Sequence, residues 1–175
     1  CMHNTIDASS AGQTTPGTMR VASTSIATES ATLTSSHHSM LMALTAGEAQ
    51  SAGMNPQMFN SFLDGTKSAI EMAAIANATG LNVPANGLSF PPCGVDDLPH
   101  VMRPREQGGV LERSGVVEVV SSLERDGRPV FRDLRWGVYV VLEAPNDYAA
   151  DCFRQYGLKT DASGRYAAMY KPYHL

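Results

Sequence analysis

The sequence predicts an α+β fold: a mostly antiparallel sheet packed with a long buried helix, preceded by a poorly ordered Ser/Thr-rich segment. Three observations carry this. From Asn55 to Gly80 apolar residues recur with a helical period, whereas from Val110 onward the period is two. Trp136 to Leu142 is a nearly continuous apolar run, the pattern of a buried central strand. Helical and strand patterns are segregated along the chain rather than alternating, which favours α+β over a parallel α/β sheet.

In chain order, residues 1–44 come first. They are dominated by Ser and Thr (Ser9, Ser10, Thr14, Thr15, then Ser23 through Ser36), with few large aliphatics and no aromatic residue. Such a stretch buries too little apolar surface to offset the entropy of ordering, so it is expected to be disordered or loosely docked. Residues 45–175 read as the compact domain. A short helix is expected over Ser39 to Gln50, ahead of Gly53. Asn55-Pro56 then starts the long helix: Asn caps the first free amides, and Pro at the first helical position loses no needed hydrogen bond. Gly80 ends it with a left-handed stop. Pro84, Gly87, Pro91, Pro92, Gly94 and Pro99 mark an irregular connection, of the length that is usually functional or ordered by packing.

Strands are expected at Val110-Leu111 and Val116 to Val120. Asp126-Gly127 is a tight-turn signal between Ser121-Ser122-Leu123 and Val130-Phe131. After the Trp136 to Leu142 strand, Asn146 caps a helix over Asp147 to Gln155 that stops before Gly157. A turn over Asp161 to Gly164 leads into a last strand, Arg165 to Tyr170.

The chain has 175 residues, room for one ordinary domain, and its 43% hydrophobic content supports a real core. A formal charge of -4 argues against nucleic-acid and membrane-surface partners, which require a basic field. No apolar run approaches the ~20 residues of a membrane span. The start, Cys1-Met2-His3-Asn4, has no secretory pattern. Three widely spaced cysteines, Cys1, Cys93 and Cys152, suit a reduced, cytoplasmic protein. Cys93 reads as small apolar filler more readily than as a reactive thiol. His37-His38 and Asp96-Asp97 each lack the further ligands of a tight cation site, so no metal is expected.

The most informative feature is a polar stripe on the long helix. Asn60, Asp64, Lys67 and Glu71 follow in steps of four, three and four, which places them on one helical face. Phe59, Phe62, Leu63, Ile70, Met72, Ala73, Ala74 and Ile75 occupy most of the remaining circumference, implying a largely buried helix. A row of charge on a buried helix is costly unless it lines a pocket or satisfies itself. Two readings stand open. In one, Lys67 exchanges a proton with a substrate oxygen while Asp64 and Glu71 hold it and set its charge. In the other, the residues form intrahelical ion pairs on a solvated strip. Gly65, costly inside a helix by roughly 1 kcal/mol, suggests close approach of a ligand or backbone.

The run from Gly53 through Ala73, containing Asp64-Gly65-Thr66-Lys67, is similar to the catalytic domain of oxidoreductases resembling 1-deoxy-D-xylulose 5-phosphate reductoisomerase. Further matching stretches are Phe90-Pro-Pro-Cys-Gly-Val-Asp-Asp-Leu-Pro, Arg132-Asp-Leu-Arg-Trp-Gly-Val-Tyr-Val-Val, Tyr156-Gly-Leu-Lys-Thr-Asp-Ala-Ser-Gly-Arg-Tyr and Tyr170-Lys-Pro-Tyr-His-Leu. The resemblance implies NAD- or NADP-dependent chemistry on a small polyol- or sugar-like substrate, phosphorylated or not. It also implies a homoserine dehydrogenase-like Rossmann domain that holds the dinucleotide, and a catalytic domain that supplies the dimer contact.

On this reading Lys67 and Asp64 are the catalytic pair, and Asn60, Glu71, Arg165 and His174 are substrate-binding. Arg165 and His174 would meet a phosphate or carboxylate at the pocket rim, or else simply pack the chain end. No GxGxxG fingerprint occurs, so the dinucleotide is expected to be bound by a domain absent from this chain, which would make the chain an incomplete enzyme. The alternative is a non-catalytic remnant acting as a dimerisation or partner-binding module. Expected partners are a small-molecule substrate and either a second copy or the missing nucleotide-binding domain.

Overall fold

The computed structural model describes residues 21–23, 46–51, 53–135 and 137–172. The expectation for most of residues 1–44, the His37-His38 pair, the first part of the helix expected over 39–50, and His174 lie outside the described residues. Within 46–51 the chain is helical.

The sheet is built around the apolar run. Strand β1 is Val21–Ser23, β2 is Gly137–Glu143, β3 is Lys159–Thr160 and β4 is Tyr166–Pro172. They lie in the order β1-β2-β4-β3, with every neighbouring pair antiparallel. In the central pair, Val140 faces Met169 and Leu142 faces Ala167. Strand β2 is apolar on both faces because both are covered. Tyr139 and Val141, with Tyr166 and Ala168 of β4, enter a core shared with Leu98, Met102, Leu111, Val116, Val120 and Leu134. On the opposite face Leu142 and Ala167 pack with Ala150 and Phe153. The latter two belong to a helix over Asp147–Gln155, started as expected by Asn146, whose Oδ1 accepts from the Ala149 amide at 2.9 Å. Burying a ring such as Phe153 stabilises by about 1.5–3 kcal/mol.

The expected long helix is two helices. Helix α1 spans Pro56–Leu63, capped by Asn55, whose side chain accepts from the amides of Gln57 and Met58. Helix α2 spans Thr66–Thr79. Between them Asp64 ends α1 and Gly65 turns left-handed at φ 79. Gly80 closes α2 at φ 72. The expectation of a largely buried helix is also corrected. Only Ser68, Met72 and Ala76 of α2 are buried, while Ile70 is 66% exposed and Ala73 and Ala74 face solvent. Of the apolar residues expected to wrap the helix, Met72 is buried and Phe59 and Ile75 are half-buried, and the two exposed alanines leave little apolar surface in water.

The predicted irregular connection contains one unanticipated helix, α3, over Leu98–Val101; the helix Asp147–Gln155 is then α4. The strands expected at 110–111 and 116–120 shrink to isolated bridges: Pro104 with Leu111, Asn82 with Val116, and Pro92 with Ser121. The Asp126-Gly127 turn forms, with Leu123 and Pro129 bridged across it. Residues 116–120 are nonetheless fully buried. Val116 and Val120 join the sheet-side core, and Val117 and Val119 join a second cluster with Met72, Ala76 and Phe90. Among the described residues no helix is long and apolar enough to cross a membrane.

Candidate active site at the helix break

The stripe residues flank the α1–α2 break in two pairs, Asn60 with Asp64 at the end of α1 and Lys67 with Glu71 at the start of α2. Asn60 is fully buried on α1, and its carbonyl accepts from the Asp64 amide at 3.0 Å. Asp64 turns its Oδ1 onto the Thr66 amide at 2.9 Å, satisfying one of the free donors at the start of α2. Lys67 and Glu71 form an i,i+4 pair at 3.2 Å, with side chains 40% and 34% exposed. The ammonium is therefore within reach of solvent and of an incoming molecule, and a carboxylate steadies it. A pair this open contributes only about 0.3–0.5 kcal/mol to stability.

Gly65 is hemmed in as well as left-handed: a Cβ there would stand 3.2 Å from Cζ of Phe90. The close approach suggested by the sequence is thus with the Phe90 ring. Phe90 itself is a non-glycine residue at φ 48. It is held by Glu118, which sequence reasoning missed. Glu118 is 2% exposed and accepts from the Ser89 amide (3.0 and 3.1 Å), the Ser89 hydroxyl (2.7 Å), the Phe90 amide (3.5 Å) and the Val119 amide (2.9 Å). The only signal was an acidic residue inside a valine run, which in a strand of period two reads as a solvent-facing position.

The remaining sequence candidates lie elsewhere. Arg165 stands beside the sheet, donating to the Ala144 carbonyl at 3.2 Å and lying 3.9 Å from Asp147 at the start of α4. It is not brought to α2: its partners belong to the β2–α4 connection, whereas the buried residues of α2 pack on Phe90, Val117 and Val119. His174 is outside the described residues. Asp96 is engaged by Arg132 at 2.7 Å and by Lys159, and the hydrogen bond from Lys159 leads in holding its carboxyl below the usual range. Among the described residues no group of three His, Cys, Asp or Glu could hold a metal ion. Cys93 is buried, and burial, with Asp97 adding, pushes its thiol up to about 12. Tyr139, whose hydroxyl donates to the Glu118 carbonyl at 2.9 Å, is likewise kept protonated by burial.

A family model described as oxidoreductase DRL, catalytic domain, matches residues 17–175. The chain belongs to this family. The DRL match starts inside the Ser/Thr-rich segment and takes in strand β1 together with the whole helix break. No curated protein matches the sequence significantly. The described residues of this DRL catalytic domain do not fit a Rossmann dinucleotide site. Such a site opens at the carboxyl ends of parallel strands beside a glycine-rich helix start, and this sheet is antiparallel throughout.

Proposed function

We propose that this chain is the substrate-binding and catalytic domain of a reductoisomerase-like, NAD- or NADP-dependent oxidoreductase acting on a small polyol- or sugar-like substrate, phosphorylated or not. The dinucleotide is held by residues outside those described, in a homoserine dehydrogenase-like domain. The observation that carries the reading is the Lys67–Glu71 pair in the first two turns of α2, open to solvent beside the Asp64-Gly65 break in a chain of an oxidoreductase catalytic-domain family. Lys67 holds or moves the proton of the substrate oxygen. Glu71 keeps the ammonium on that face, and Asp64 orders the start of α2. Asn60 supports the break from beneath.

The test is dinucleotide-linked turnover by the full-length protein over a panel of polyols, sugars and sugar phosphates, with NADH, NADPH and their oxidised forms. The reading predicts turnover of at least one member of the panel. Absence of dinucleotide-linked turnover across it contradicts the reading.

A second reading, a homodimerisation module, is favoured by one observation. On the outer sheet face helix α4 packs over Leu142 and Ala167 with Val140 at the edge of the cluster, and Met169, beside Val140, is 49% exposed. Sedimentation that shows only monomer at micromolar concentration removes it.

A further inference from the structure

We infer that Glu118 is a positioning residue for the α1–α2 break and, through it, for Lys67; the second step rests on the role proposed for Lys67. Asn82 and Pro92 pair in parallel with Val116 and Ser121, so ten positions on one side oppose five on the other. The intervening chain must bulge away, and its amides cannot reach the carbonyls of 117–120. The Glu118 carboxylate takes the place of that missing ladder. Both its oxygens are used, and among the described residues its partners are all neutral donors on Ser89, Phe90 and Val119.

A buried carboxylate without a cation is expensive, and an apolar residue would fill the space at lower cost. What an apolar residue could not do is hold Phe90 at φ 48. That conformation aims the ring at Gly65 and into the cluster of Met72 and Ala76 on α2. The link is therefore continuous: carboxylate, loop amides, Phe90 ring, left-handed Gly65, first turn of α2, Lys67. Loss of the carboxylate lets Phe90 relax toward an ordinary backbone conformation, which withdraws the ring that fixes the angle between the two helices.

Amide hydrogen exchange on the intact protein tests this without requiring any activity. In Glu118→Gln an amide nitrogen faces the donors of the loop, so exchange should accelerate about tenfold or more at Ser89 and Phe90. It should accelerate likewise at Ala69, whose amide closes the first turn of α2 on the Gly65 carbonyl. Exchange in the central sheet, at 140–142 and 167–169, should be unchanged. Ser89→Ala, an exposed position that removes one donor, should give the same pattern more weakly, and it decides the matter if Glu118→Gln does not fold. Unchanged exchange at Ala69 while the loop loosens, or equal acceleration everywhere, overturns the link.

Once a substrate is in hand, Glu118→Gln should lower kcat about tenfold to a hundredfold with KM within twofold, and Glu118→Asp should restore part of it. A linked exchange response with unchanged kcat leaves Glu118 coupled to the break and removes the role given to Lys67 instead.

Discussion

Replacing Gly65 by Ala separates the broken helix from a continuous one by the sign of a single number. In a continuous helix over 56–79 the substitution gains helix propensity, stabilising by about 1 kcal/mol. In the structure Gly65 sits at φ 79, where an L side chain costs about 1–2 kcal/mol. Its Cβ would also crowd Phe90 Cζ at 3.2 Å, against a buried ring on a residue whose backbone amide donates to Glu118. The two terms together give a destabilisation on the order of 2 kcal/mol, or about 4–8 °C in Tm for a chain of this size.

Gly80→Ala provides the internal standard. That residue has the same handedness, φ 72, with nothing within 4 Å of the added carbon. It should lose only the conformational part. Urea unfolding followed by far-ultraviolet circular dichroism reads both variants. A Gly65→Ala midpoint above wild type, or a loss smaller than that of Gly80→Ala, refutes the left-handed break and its contact with Phe90.

Other outcomes follow from the same geometry. Cys93, buried with its thiol pushed up to about 12, should resist alkylation in the folded protein at pH 8 while the partly exposed Cys152 reacts; mass spectrometry showing Cys93 labelled first contradicts this. The Asp161 carboxyl is pushed up by burial, but hydrogen bonds from Ser163 and the Tyr166 amide, with Arg103 at 3.0 Å, outweigh this and hold it below its usual range. A depressed carboxyl contributes stability that is complete above its unfolded value near pH 4 and is lost as pH falls through the folded one. Asp161→Asn should therefore destabilise by about 1–3 kcal/mol at pH 6 and by clearly less at pH 2.5, read from urea midpoints; an equal loss at both pH values contradicts the assignment. Phe90→Ala should cost about 3–5 kcal/mol by emptying the α2 cluster, and a loss under 1 kcal/mol would show that the ring is not packed there.

Much of the fold was legible because its determinants are local. Asn55 and Asn146 each cap the helix that follows within three residues, and Asp126-Gly127 closes its own turn. The Trp136 to Leu142 run announced a strand covered on both faces. The helix break was not legible, because Gly65 in a helical pattern reads as a cost rather than a stop. Its handedness is set together with Phe90, twenty-five positions downstream. Glu118 was invisible for the same reason: its partners Ser89 and Phe90 are 29 and 28 residues away. Likewise the sequence grouped Arg165 with Lys67 by chemistry alone, whereas Arg165 is tied to the start of α4. The stripe was found by its spacing: Lys67 and Glu71 are the intrahelical pair of one reading, and the proton-exchange role of the other is the proposal that remains to be measured.

The most direct measurement of the central claim is kcat/KM of Lys67→Ala in the full-length protein on whichever substrate it turns over. Loss of the proton-handling amine predicts a fall of about 10²–10⁴-fold, mostly in kcat, with urea stability within about 0.5 kcal/mol of wild type and partial recovery on adding methylamine. A kcat/KM equal to wild type would place the chemistry away from the helix break and contradict the account.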